Sequence, residues 1–119
     1  MEFGYWFNSP ISKLPSKLTH LTFGTLFNNY IGEYSQMLTH LTFDFNFNKS
    51  IDNLPPNLIY LKLDRLFSKS IYVLGTKTNK LEELIIHNSN SNLIINNLPS
   101  SLKKLFIKHY FNNYVDFLP

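Results

Sequence analysis

The chain has 119 residues, no cysteine, a net charge of +3 at pH 7 and 44% hydrophobic residues. That length suits one domain, the missing cysteine excludes disulfides and thiol chemistry, and the small charge speaks against a dedicated nucleic-acid binder. No run approaches the roughly 18 apolar residues of a membrane span, and the start Met1-Glu2-Phe3-Gly4-Tyr5-Trp6 lacks the basic segment and long apolar run of a signal peptide.

In chain order, a partial unit over residues 1–17 carries Phe3, Phe7 and Leu14-Pro15. The unit 18–37 opens with Leu18-Thr19-His20-Leu21-Thr22-Phe23, and the unit 38–57 opens with the same six residues at Leu38 to Phe43. Diverged copies begin at Leu58 (58–80), Leu81 (81–101) and Leu102 (102–119), so the marker leucines step by 20, 20, 23 and 21 residues. Three residues past each marker stand Leu21, Leu41, Leu61, Leu84 and Leu105, and two further on stand Phe23, Phe43, Leu63, Ile86 and Ile107. An aromatic column follows at Phe27, Phe47, Phe67 and Phe111, then an asparagine column at Asn8, Asn28, Asn48 and Asn112. Isoleucines recur at Ile11, Ile31, Ile51, Ile71 and Ile95, and three residues on come Leu14, Tyr34, Leu54, Leu74 and Leu98.

A period of 20 to 29 residues with L-x-x-L-x-L marks a solenoid of the leucine-rich-repeat type. One such unit cannot bury its apolar side alone, but units stacked about 4.8 Å apart make a parallel sheet over a continuous core. The expected fold is therefore a repeat solenoid: a right-handed, leucine-rich-repeat-like coil with a short-stranded parallel β-sheet. Twenty residues leave little room for a convex-side helix, and the Leu-Pro pairs block helix interiors. The return segments are expected to be extended, with at most a short 3₁₀ turn. The longer copy from Leu58 replaces Leu-Pro with Leu74-Gly75, and residues 75–80 read as a bulging loop. The copy from Leu81 has lost its Phe-Asn pair.

These columns resemble the FNIP repeats, which read roughly L-x-x-L-x-F-x-x-x-F-N-x-P-I-x-x-x-x-L-P. Phe7-Asn8-Ser9-Pro10-Ile11 carries every marked position of that core, and Phe47-Asn48-Lys49-Ser50-Ile51 lacks only the proline. The resemblance covers nearly the whole chain. It implies a relative of leucine-rich repeats of the kind found in amoebae and in the large DNA viruses that infect them. Such arrays often follow an F-box, which implies substrate recognition for a ubiquitin ligase. Only a partial repeat precedes Leu18, so an F-box would come from a separate partner.

Neither end carries a polar cap of the kind solenoids use to shield terminal turns. Three expectations follow: a fragment of a longer array, a domain that self-associates through its uncapped ends, or a decayed gene product with a purely structural role. With no signal peptide or membrane span, an intracellular, cytoplasmic location is expected, in host cytoplasm if the protein is viral.

The outward positions of the strands form columns on a rigid scaffold, the kind of surface through which solenoids bind. The candidate protein-binding face is His20, His40, Tyr60, Glu83 and Lys104 beside Thr22, Thr42, Lys62, Ile85 and Phe106. The expected partner is a protein whose identity the sequence does not disclose. His20 and His40 fall one turn apart, but a metal site needs three or four ligands, so they read as two copies of one repeat position. The asparagine column is expected to bond turn backbone. Lys103, Lys104, Lys108 and His109 lie near Tyr110 and Phe111, but three lysines on one turn are an ordinary solvated face, and nucleic acid is not expected. No P-loop, G-x-S-x-G, H-E-x-x-H or G-x-G-x-x-G is present, so neither catalysis, a cofactor nor a metal is expected.

Overall fold

Leu21, Leu41, Leu61 and Leu84 sit between polar or half-polar neighbours, a pattern that suits short strands with one buried face. The structure is a computed structural model that describes residues 1–88 and 95–109. In chain order its strands are β1 (Ile11–Lys13), β2 (His20–Thr22), β3 (Ile31–Glu33), β4 (His40–Thr42), β5 (Tyr60–Leu63), β6 (Glu83–Asn88) and β7 (Lys104–His109). One four-residue helix, α1 (Leu74–Lys77), lies between β5 and β6. The order β2-β4-β5-β6-β7 makes one parallel sheet, and β1 and β3 make a second, two-stranded one. The chain is thus a parallel β-solenoid of about 4 turns with almost no helix.

The register follows the repeat. Leu21, Leu41, Leu61, Leu84 and Leu105 are paired in sequence across the five strands. Because side chains alternate along a strand, this single alignment sends one column inward and its two neighbours outward. Leu21, Leu41, Leu61 and Leu84 are buried, as are Phe23, Phe43, Leu63 and Ile86.

Two aromatic columns fill the coil. Phe3, Phe23 and Phe43 stack at 5.0 and 5.3 Å between ring centroids. Phe7, Phe27, Phe47 and Phe67 stack at 5.9, 6.1 and 6.1 Å. The columns also touch each other, Phe43 and Phe47 at 3.7 Å. Each buried phenylalanine contributes about 1.5–3 kcal/mol of hydrophobic stabilisation. The corner that brings the second ring inward is a tight turn, closed by Phe27 N–H to Gly24 O, Phe47 N–H to Asp44 O and Phe67 N–H to Asp64 O.

The asparagines hold the next corner. Asn8 Oδ1 accepts from Asn28 N–H at 2.8 Å, Asn28 Oδ1 from Asn48 N–H at 2.9 Å, and Asn48 Oδ1 from Ser68 N–H at 2.8 Å. The expected bond to turn backbone is present, and it runs from each turn to the next. The column is less buried than its repetition suggests: Asn28 and Asn48 are half-buried and Asn8 is exposed.

The structure departs from or refines the expectation in four places, three of them on the return side. First, the chain at Ile11 and Ile31 is extended as expected, and it also pairs as β-strand. Second, part of the expected loop after Leu74 is the helical turn α1, which takes up the 3 extra residues of the 23-residue step. Thr78, buried behind it, closes the turn through Oγ1 to Leu74 O. Third, Ile95 is 43% exposed rather than core. The isoleucine column lies 13 residues after each marker leucine, which after Leu81 gives position 94, outside the described residues. The one extra residue of this copy is absorbed at Asn97, whose φ of 54° is left-handed, a conformation asparagine tolerates. Fourth, Leu105 is 42% exposed because β7 pairs with β6 alone among the described strands. Phe111 and Asn112, assigned above to columns, lie outside the described residues, as does Tyr110.

Candidate interaction face

The five-stranded sheet brings all ten predicted positions into two adjacent rows. His20, His40, Tyr60, Glu83 and Lys104 are register partners in one, and Thr22, Thr42, Lys62, Ile85 and Phe106 in the other. His20, Lys104 and Phe106 are exposed, while the other seven are half-buried. Half-burial is what neighbours one strand spacing away produce, since each side chain covers part of the next.

The first row begins as a ladder of rings. His20 and His40 stack at 4.2 Å with planes 9° apart, and Tyr60 follows at 5.8 Å and 18°. Threonines one residue earlier fix both imidazoles: Thr19 Oγ1 lies 3.0 Å from His20 Nδ1, and Thr39 Oγ1 lies 2.9 Å from His40 Nδ1. The Thr39 hydroxyl donates its one proton to Thr19 O at 3.1 Å. It must therefore accept from His40, whose neutral form carries its proton on Nδ1 and presents Nε2 as a bare lone pair. Desolvation holds the His40 pKa below the usual histidine value, and His20 adds to the effect, while Glu83 opposes it. Burial, with Glu83, raises the Tyr60 pKa.

A third row flanks these two. Asp44 accepts from Phe45 N–H at 2.8 Å and from Thr25 Oγ1 at 3.1 Å. Asp64 accepts from Arg65 N–H at 2.7 Å, and its Oδ1 lies 3.9 Å from His87 Nδ1. Both aspartates thus shape the turns after their strands, the common work of Asp at such corners. Among the described residues, no group of three or more His, Cys, Asp or Glu is placed to hold a metal ion. Beyond His87 the basic residues take over. Lys104 and Lys108 stand on β7, and Lys103 pairs with Glu82 at 3.4 Å.

His87, in the third row with Asp44, Asp64 and Lys108, extends the face and lies tilted 6.0 Å from Phe106. No signal in the sequence marked two clefts on the return side, of about 230 and 360 Å³, which share Tyr34 and Asn53 where the second sheet ends and the Asn53 amide donates to Ile31 O at 2.8 Å. Among the described residues, no helix is long and apolar enough to cross a membrane. Comparison with known family models and with curated proteins finds no match.

Proposed function

We propose that the protein is a non-catalytic protein-binding module whose recognition surface is the open face of the five-stranded sheet. The observation that carries this reading is the contrast between the two sides of that sheet. Inward positions repeat as Leu, Phe and Ile, as stacking demands. Outward positions are His-Thr in the first two turns and then change with each turn, to Tyr-Lys, Glu-Ile and Lys-Phe. Core positions that repeat and surface positions that vary give a rigid frame carrying an individual pattern, the arrangement by which solenoids recognise partners. Tyr60 near its centre and Phe106 at one side are residue types enriched in protein interfaces.

The resemblance to FNIP repeats supports a narrower version, in which the face presents a target to a ubiquitin ligase through a separate F-box protein. The test is capture from host lysate with immobilised wild type, the double variant Tyr60→Ala with Lys62→Glu, and the return-side control Tyr72→Ala. A partner lost only by the double variant supports the face. A partner held equally by all three, or held by none, contradicts it.

A further inference from the structure

We infer that the β7 end of the sheet face takes an acidic, extended protein segment, seated on Phe106 and Ile85 between Lys104 and Lys108. The inference rests on the sheet face being the recognition surface, and it adds the chemistry of what meets it. The first two strands present the same His-x-Thr pair, so the individual part of the pattern lies on β5 to β7. There Ile85 stands between Lys62 and Phe106 in its row, with Glu83 and His87 on either side along its own strand.

β7 sets the spacing. Its outward side chains are Lys104, Phe106 and Lys108, register partners of Glu83, Ile85 and His87. All three are exposed, Phe106 by 54% although it is a large apolar ring. That ring stands 6.0 Å from His87 and in register with half-buried Ile85. The two make an apolar spot with a lysine at each end of it. Lys104 and Lys108 are four residues apart, about 13 Å at roughly 3.3 Å per strand residue. A second extended chain has the same period of two. Laid over β7 with the pattern acid-x-apolar-x-acid, it puts an apolar side chain on Phe106 and Ile85 and a carboxylate on each lysine.

Charge complementarity selects that sign. The outward lysines of these three strands are Lys62, Lys104 and Lys108. Of the two carboxylates beside them, Asp64 is turned to its own corner, accepting from Arg65 N–H at 2.7 Å and lying 3.9 Å from His87 Nδ1. Glu83 stands in register with Lys104, at the opposite end of β6 from the row that holds Lys108. The same interleaving disfavours nucleic acid. A continuous phosphate chain crossing these strands meets Glu83 and Asp64, whereas a segment with two carboxylates at set places meets the lysines of β7.

The test is ¹H–¹⁵N NMR titration of the full chain with the peptide acetyl-Gly-Ser-Glu-Thr-Leu-Thr-Glu-Ser-Gly-amide. Control peptides carry Lys for both Glu, or Ala for Leu, and a further arm is a single-stranded oligouridylate. The expected result is saturable shifts at residues 83–87 and 104–108, absent at 31–33, with the glutamate peptide held more tightly than either control. Phe106→Ala should weaken binding roughly three- to tenfold, the worth of burying about half a phenylalanine side chain. Lys104→Glu with Lys108→Glu should abolish it, and about 0.3 M NaCl should weaken wild-type binding by screening. These positions are exposed, so thermal unfolding should be unchanged, and the control peptides test the pattern on wild type alone. No saturation by the glutamate peptide, equal affinity for the lysine peptide, tighter binding of the oligouridylate, or unchanged affinity in both variants would overturn the proposal. Peptide failure beside lysate capture that Tyr60→Ala with Lys62→Glu abolishes would remove the acidic segment and leave the face standing.

Discussion

The imidazoles of His20 and His40 lie face to face, 4.2 Å between centroids and 9° from parallel, at identical positions of successive turns. Two cations so placed repel, so the pair takes up its first proton more readily than its second. His40, which is the more covered ring and has a depressed pKa, stays neutral longer. NMR titration of the ring protons should show His40 titrating below the unperturbed value of about 6.5 and moving upward in His20→Ala. An unchanged His40 titration in that variant would show that the stack does not couple the two rings.

The same shift has a sign for stability. The folded-state pKa of His40 is lowered, so the group contributes stability above its unfolded pKa of about 6.5 and loses it as pH falls from there through the folded pKa. Denaturant midpoints should fall between pH 7.5 and pH 5, and His40→Gln should reduce that fall. The effect is small because the ring is largely solvated. An identical pH dependence in the variant would contradict the assignment.

Tyr34 has the opposite sign. Its folded-state pKa is raised above the unfolded value of about 10, so its contribution is whole below pH 10 and is lost as pH rises beyond it. Urea unfolding at pH 9 and pH 11 should show a larger loss in wild type than in Tyr34→Phe. Equal losses would mean that the hydroxyl is not held neutral by the fold.

Phe43 is fully buried between Phe23 and Phe47. Phe43→Ala should cost about 3–5 kcal/mol, whereas Trp6→Ala, at a side chain 80% exposed, should stay within about 0.5 kcal/mol. Chemical denaturation of both variants checks the contrast. Similar costs would place the core elsewhere.

Asn48 Oδ1 satisfies the Ser68 N–H, and its own N–H is satisfied by Asn28. Asn48→Ala leaves the exposed Ser68 donor to water and should cost about 0.5–1.5 kcal/mol. Asn48→Asp keeps the acceptor and should cost less. Hydrogen exchange at the Ser68 amide reads the difference directly. Equal protection in all three proteins would remove the asparagine ladder from the account.

What was legible in the sequence is what the 20-residue period controls. The inward and outward rows follow once Leu18 and Leu38 are aligned, because one register sets every side chain along short parallel strands. The misses fall where length or a side chain breaks the period. Helix α1 and the left-handed Asn97 absorb extra residues, which moves the isoleucine column of the copy from Leu81 off Ile95 to position 94. The Ile11–Ile31 pairing and its end at Asn53 were hidden because isoleucine recurs in all copies, paired or not. The clefts around Tyr34 depend on that ending, so they too had no separate signal. The half-burial of the candidate face reflects ring stacking between turns, which spacing alone does not reveal.

The central claim is that the sheet face, rather than the return side, meets a partner. A photo-crosslinking amino acid placed at position 60 on the sheet and, separately, at position 72 on the return side tests it in one gel after irradiation in host extract. The account predicts a discrete covalent product from position 60 and none from position 72. Products of equal yield from both positions, or none from position 60, would contradict it.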